Sequence, residues 1–366
     1  MTDPSRDRAS MLDELEALVA VESPSGSDVA TRAAADALDE LLLGRLGSRA
    51  TWIGEQRGHL LWSGGGRTRV LLLGHVDTVW PLGTTARWPF TVTDGRACGP
   101  GSFDMKAGLV QGVHALAGLD DLAGVALLAT TDEEVGSPTS RTLIEQTARG
   151  CAAVLVLEPA ASGALKTGRK GVSNYELVVH GRAAHAGLEP EKGANAAIEL
   201  AHQVHALTTI ANPDLGTTVT PTVMSAGTTA NTVPALARVA VDVRALEPAE
   251  QQRVDEELRA LAARVPGCTL ELLGGINRPP LAPASSAALF ARAAQLASDL
   301  GLPALRSAHV GGASDGNFTA GLGIPTLDGL GADGDGAHAE GEHVLVESMA
   351  PRSRLVAALV RDLLRS

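Results

Sequence analysis

His75, Asp104, Glu134, Glu158 and His338 each stand where an apolar run ends or a glycine-rich turn begins. Imidazole nitrogens and carboxylate oxygens are the donors that zinc and related divalent ions accept. Five such residues in separate segments imply a site for two metal ions, with metal-assisted hydrolysis as its chemistry. The runs Val70–Leu73, Val125–Ala129 and Ala153–Leu157 are short, almost wholly apolar and bounded by turn residues, which predicts strands covered on both faces. His75 and Asp77 follow the first run, Asp132, Glu133 and Glu134 the second, and Glu158 the third. Open α/β sheets bind beyond the carboxyl ends of their strands, so these side chains can converge at one sheet edge.

Taken singly, each residue also has an ordinary reading. His75 and Asp77 are two apart, so in extended chain both point the same way and Asp77 can orient the imidazole, in a metal site or in a surface hydrogen bond. Asp104 follows a Gly-Pro-Gly turn, where an acid in a first helical turn is favoured by the dipole alone. Asp132, Glu133 and Glu134 resist ionising together unless a cation is near, or else form a solvated loop. Adjacent side chains cannot both face one metal, so of Glu133 and Glu134 one ligates and the other moves protons. Glu158 ends an apolar strand as an isolated buried charge, an arrangement that favours a ligand role. His338 lies in a glycine-rich loop beside Asp333, Asp335, Glu340 and His343, any of which could be mistaken for a ligand. Gly312–Gly316 fits G-x-S-x-G, which would make Ser314 a nucleophile. Only 24 residues separate it from His338, too few for the elements that should intervene, and a cleft-shaping role is the alternative.

The elements that must hold these residues alternate between strand and helix up to about Glu158, which predicts a parallel sheet. Helices are expected at Met11–Val21, at Asp28–Leu43 with Gly44 and Gly47 ending it, and from Ser102 to Leu119. Gly64–Gly66 is expected as a hairpin turn. From Lys170 the character changes. Val172–Val179 alternates apolar and polar residues, a helix over Ala194–Ile210 follows, then strands at Thr217–Ser225 and Arg238–Arg244 and a helix over Pro248–Val265. Asn277–Leu281 reads as a linker, Ser285–Leu300 as a helix and Ile324–Leu327 as a strand. The expected fold class is α/β, a mixed, largely parallel sheet flanked by helices, with an inserted smaller α+β domain. Residues 1–169 and 281–366 form the catalytic domain in this reading, and 170–280 the insertion.

Composition narrows the partners. A chain of 366 residues exceeds the size at which one core keeps growing, so two domains are expected. With 30 basic and 42 acidic residues, the net charge of -12 leaves no basic face for nucleic acid. The start MTDPSRDRAS is polar and no apolar run approaches a bilayer span, so a cytoplasmic protein without membrane contact is expected. Cys98, Cys151 and Cys268 lie far apart and suggest neither disulfides nor a thiolate metal site. An aromatic content of 2% argues against an aromatic-lined nucleotide or sugar cleft.

The segments GHVDT, GPGSFDMKAG, TTDEEVGS, VLEPA and the late GAH resemble, in order, the signatures of the zinc-dependent aminoacylase and glutamate carboxypeptidase family. The resemblance continues through GRAAHAG, GTTANTVP and VDVRA, and the stretch from Gly311 to Gly331 is most similar to bacterial folate-cleaving glutamate carboxypeptidases. It implies a zinc exopeptidase-like catalytic domain with a lid and dimerisation domain, and a homodimer. It also implies that Asp104 bridges two zinc ions, with His75 and Glu158 on one and Glu134 and His338 on the other. Cobalt or manganese would suit such carboxylate-rich ligands too. Glu133 would be the general base, Asp77 the partner of His75, and His185 an oxyanion stabiliser. Asn231 and Arg244 would hold the free carboxylate of an N-acyl amino acid or peptide substrate, arginine by its planar two-pronged geometry.

Overall fold

The computed structural model describes residues 4–54 and 58–365; residues 1–3, the start of the polar N-terminal segment, lie outside them. The chain divides into two compact units, one of residues 1–168, 282–310 and 314–366, the other of residues 169–281 and 311–313.

In the larger unit a six-stranded sheet runs in the order Thr51–Ile53, His59–Ser63, Val125–Thr130, Val70–His75, Ala153–Val156 and Thr326–Leu327. The last four strands are parallel and the first two antiparallel to their neighbours. The three central strands, Val125–Thr130, Val70–His75 and Ala153–Val156, are almost wholly apolar because both faces are covered. Val70, Leu72, Leu127 and Leu155 meet Leu15, Leu38, Leu42, Leu109 and Leu359 on one side. Leu71, Leu73, Leu128 and Val156 meet Ile144, Ala148 and Phe318 on the other. The helices of the first face include Asp28–Leu46, Ala107–Ala117 and Val346–Arg365. Ser27 caps Asp28–Leu46 by accepting from Ala30 N, and Gly47 ends it in the left-handed region, with Gly44 inside the helix.

Several expectations need correction. Gly64–Gly66 makes no hairpin, because His59–Ser63 and Val70–His75 flank Val125–Thr130 rather than pair with each other. The helix expected from Ser102 begins at Ala107; Asp104 and Met105 have non-helical backbone angles in an irregular turn before it. Asn277 and Arg278 belong to a strand, not a linker. Unanticipated elements are Leu165–Arg169, the helix Val346–Arg365 and a small antiparallel sheet. That sheet runs in the order Gly334–Asp335, His343–Leu345, Arg96–Cys98 and Thr91–Thr93. Its first two strands form a hairpin whose loop carries His338.

The smaller unit is an antiparallel sheet in the order Thr218–Ala226, Leu236–Ala245, Gly171–His180 and Thr269–Arg278. The helices Ala196–Ile210 and Pro248–Arg259 supply Leu200, Leu207, Val254 and Leu258 to a core with Leu177, Val179, Val239 and Val241. Glu199 is fully buried, and its carboxylate accepts from Gln203, from Arg264 N at 2.8 Å and from Val265 N at 2.6 Å. Burial raises its pKa, but the hydrogen bonds outweigh burial and hold it below the ordinary 4.5. A depressed pKa stabilises the fold above the unfolded value, and that stabilisation is lost as pH falls through the folded one. Glu199→Gln should therefore melt below the parent at neutral pH, with the gap closing as pH falls below the ordinary 4.5. Melting curves followed by circular dichroism across that range check this; a gap independent of pH would refute the linkage.

Candidate metal centre

The parallel register explains why the first ligands meet. Leu73 pairs with Val156, and His75 and Glu158 each lie two residues beyond that pair, on the same face by the period of two. His75 also pairs with Thr130, after which the chain turns through Asp132 to Glu134. The turn carrying Asp104 reaches the same edge because the helix behind it packs closely. A Cβ on Gly108 would lie 2.0 Å from the Leu157 carbonyl oxygen, so only glycine allows that approach.

Two triads result. Ligand atoms of His75, Asp104 and Glu158 lie within 4.8 Å of one another, as do those of Asp104, Glu134 and His338. Asp104 belongs to both. His75 Nδ1 faces the Asp77 carbonyl oxygen at 2.9 Å, with Asp77 Oδ1 at 3.5 Å. The nearer partner is thus the backbone, and the Asp77 carboxylate has a second task. It accepts from the backbone N–H groups of Glu133 and Glu134 at 3.2 Å and from Ser25 Oγ at 2.7 Å. Asp77 thereby ties the His75 strand to the acidic turn.

His75 Nε2 points the other way, 3.3 Å from Asp104 and 3.4 Å from Glu158, yet it makes no hydrogen bond. Asp104 Oδ1 and Glu134 Oε1 are likewise buried without a hydrogen-bond partner. At 4 Å and an effective dielectric of 20, two like charges repel by about 4 kcal/mol. Carboxylates gathered around an imidazole, with unmet buried atoms aimed inward, are therefore a poor arrangement unless a cation joins them. The residues present fit a pair of divalent ions sharing Asp104.

The electrostatics agree. Burial disfavours a charged His75, but Asp104, Asp77 and Glu158 outweigh it and push its pKa well above the usual range. Asp104 and Glu134 push His338 up to about 10. Burial raises Asp104, but His338 and His75 outweigh it and hold the carboxyl far below its usual range. Glu134 is raised, by burial first and by Asp104 as a like charge. A field that attracts protons to the imidazoles attracts a metal cation as well.

Glu133 belongs to neither triad and is 8% exposed. Two residues that the sequence reading missed support the site. Lys166 Nζ lies 3.8 Å from Glu158 Oε2, so Glu158 is not an isolated charge. Glu342, fully buried, holds the backbone of the Asp104 turn. A carboxylate four residues past His338 was visible in the sequence, but its partners were not. Ser314 is no nucleophile: its buried hydroxyl donates to Asp328 at 2.6 Å and accepts from Gly316 N, with no histidine against it among the described residues.

His185, Asn231 and Arg244 belong to the smaller unit. His185 Nδ1 accepts from Gly187 N and Leu188 N at 3.1 Å, which leaves the proton of a neutral ring on Nε2. The segments bearing His185 and Asn231 lie side by side, through a His185–Thr232 bridge and a bond from Ala186 N to Asn231 O. Arg244 makes a two-pronged pair with Asp242, two residues back on the same strand face.

Residues 71–362 match the sequence model of peptidase family M20/M25/M40. Carboxypeptidase G2 of Pseudomonas sp. (strain RS-16) is 31% identical over 311 residues, covering 82% of this chain and 75% of the relative. Succinyl-diaminopimelate desuccinylase of Azoarcus sp. (strain BH72) is 29% identical over 333 residues, 83% of this chain and 86% of the relative. Among solved structures, a tripeptidase from Staphylococcus aureus subsp. aureus mu50 superposes with a TM-score of 0.76 at 20% identity. That similarity covers 98% of this chain and 99% of the other, and it shows the shared fold.

Proposed function

The chain belongs to peptidase family M20/M25/M40, a hydrolytic enzyme, and on that premise we propose that it is a dizinc amidohydrolase cleaving an amide next to a free carboxylate. The favoured activity is that of a carboxypeptidase releasing C-terminal glutamate or a similar amino acid. The observation that carries this reading is one carboxylate, Asp104, common to two triads. Two zinc ions held by His75, Asp104, Glu134, Glu158 and His338 would supply Lewis acidity toward the amide carbonyl and toward water. Glu133 takes the proton from the attacking water and returns it to the leaving amine. His185 donates through Nε2 to the developing oxyanion, and Arg244 with Asn231 receives the substrate carboxylate. Arg244 is held ready for this by Asp242, whose place on the guanidinium a stronger match would have to share.

The second reading, an N-acyl amino acid deacylase of the acetylornithine or succinyl-diaminopimelate type, is favoured by the desuccinylase relative. Both act on R-CO-NH-CH(R')-COOH, so the ligands do not separate them. A homodimer and a cytoplasmic location belong to either reading. The deciding experiment offers zinc-loaded protein folate-type and N-acyl glutamates, acetylornithine, succinyl-diaminopimelate and simple dipeptides, with and without a chelator. Chelator-sensitive release of glutamate is expected. Preference for acetylornithine or succinyl-diaminopimelate would select the deacylase. Zinc binding without turnover of any of them would point to a non-catalytic relative.

A further inference from the structure

Glu342, which the proposed chemistry does not use, is hydrogen-bonded to two of the ligand-bearing segments. It sits at the base of the hairpin whose loop carries His338. Its Oε1 accepts from Phe103 N and Asp104 N, both at 2.9 Å. Its Oε2 accepts from Gly101 N at 3.0 Å and from Trp80 Nε1 at 2.8 Å. Trp80 follows His75 and Asp77 in the loop after their strand. One fully buried carboxylate therefore joins the loop after His75, the turn of Asp104 and the hairpin of His338.

These bonds act where the backbone has no regular structure to hold it. Asp104 has φ −113 and ψ 94, outside the helix that starts at Ala107, so helical hydrogen bonding does not fix it. On its far side Lys106 is clamped by the carbonyl oxygens of Leu18 and Val21, at 3.0 and 2.7 Å. With Glu342 holding the N–H groups at and before Asp104, the Cα of the shared ligand is fixed from both sides, and its Oδ1 is left without a protein hydrogen bond. Placing a second buried carboxylate beside Asp104 is costly. A purely structural tie could have used a neutral acceptor.

We infer that Glu342 is a positioning residue for the metal centre, acting through the backbone of Asp104 and the His338 hairpin to set the geometry in which both cations share one carboxylate. The inference rests on the two-metal reading above. In Glu342→Gln an NH2 group replaces one acceptor oxygen and faces backbone donors, so the turn must shift. Outer partners of metal ligands typically contribute about 10–100-fold to affinity, and a loss of that size is expected here.

The experiment measures zinc affinity and stoichiometry by competition with a chromophoric chelator, and records the visible spectrum of the cobalt(II)-loaded protein. It compares the parent, Glu342→Gln and Leu359→Ala, the last a cavity in the fully buried part of the C-terminal helix. Glu342→Gln should bind zinc about 10–100-fold more weakly and show an altered cobalt spectrum. Leu359→Ala should lower the melting temperature while leaving affinity and spectrum as in the parent. If Glu342→Gln keeps both, or loses affinity only as far as Leu359→Ala does, the positioning role is overturned while the two-metal reading stands. A parent that binds no zinc overturns both. If Glu342→Gln does not fold, Trp80→Phe, which deletes one of the donors, replaces it: weaker zinc binding with a shifted spectrum supports the role, and parent-like values refute it.

Discussion

Glu133→Gln should bind zinc to the parent stoichiometry and melt at the parent temperature, yet turn over substrate about 10²–10⁴-fold more slowly, the range for loss of a positioned acid–base group. Glu133 and Glu134 follow one another, both held at their backbone N–H groups by Asp77, but only Glu134 enters a triad. The amide of glutamine has the size of the carboxylate, so the turn keeps its shape and the triads their members. What disappears is a group able to accept the proton of the attacking water. Metal analysis, a melting curve and kcat on a substrate identified by the panel decide the matter. Near-normal kcat would remove Glu133 as the base, and loss of metal would make it a ligand instead.

Asp104→Ala should lose both ions, whereas Glu158→Ala should lose the ion it shares with His75 and spare the other triad. Asp104 is the one member common to both groups, so its removal leaves His75 with Glu158, and Glu134 with His338, each too few to hold an ion tightly. Zinc content per chain after dialysis is expected near zero for the first variant and intermediate for the second. A control separates metal loss from misfolding. In the metal-free state Asp104→Ala should still unfold in one cooperative transition with the parent's circular-dichroism spectrum, at a somewhat lower temperature than the metal-free parent, because His338 and His75 stabilise the Asp104 carboxylate in the fold. Equal zinc content in Asp104→Ala and the parent would exclude the shared ligand.

The sequence revealed the parts of the site whose placement depends on local pattern. Runs such as Val70–Leu73 are apolar throughout because they are covered on both faces, and the polar residues directly after them fall at one edge once the strands are parallel. The family expected from GHVDT and its companion segments is the family matched. What stayed hidden depends on partners remote in sequence. The donors to Glu342 in the Asp104 turn lie 238–241 residues away, and nothing local distinguishes it from Glu340. Lys166 lies in a strand whose sequence, Leu-Lys-Thr-Gly-Arg, has too little alternation to reveal it. The small sheet uses strands of two or three residues, held by pairing rather than propensity. Ser102–Leu119 misled for a physical reason. A Gly-Pro-Gly turn before an apolar stretch does start a helix, but its first five residues are diverted into the turn that presents Asp104.

His338 differs from its companions in one respect: its side chain is 50% exposed, where those of His75, Glu158 and Asp104 are 2%, 9% and 14%. Its backbone occupies the left-handed region at φ 62, in a loop bounded by Gly336 and Gly341, so solvent reaches the imidazole. Under the two-metal reading the two ions are then kinetically unequal. The ion held by Glu134 and His338 would trade more readily with the medium and take its identity from whatever supply surrounds the protein. The ion held by His75 and Glu158, whose side chains are buried, would be the better retained through purification and would report the metal present when the chain folded.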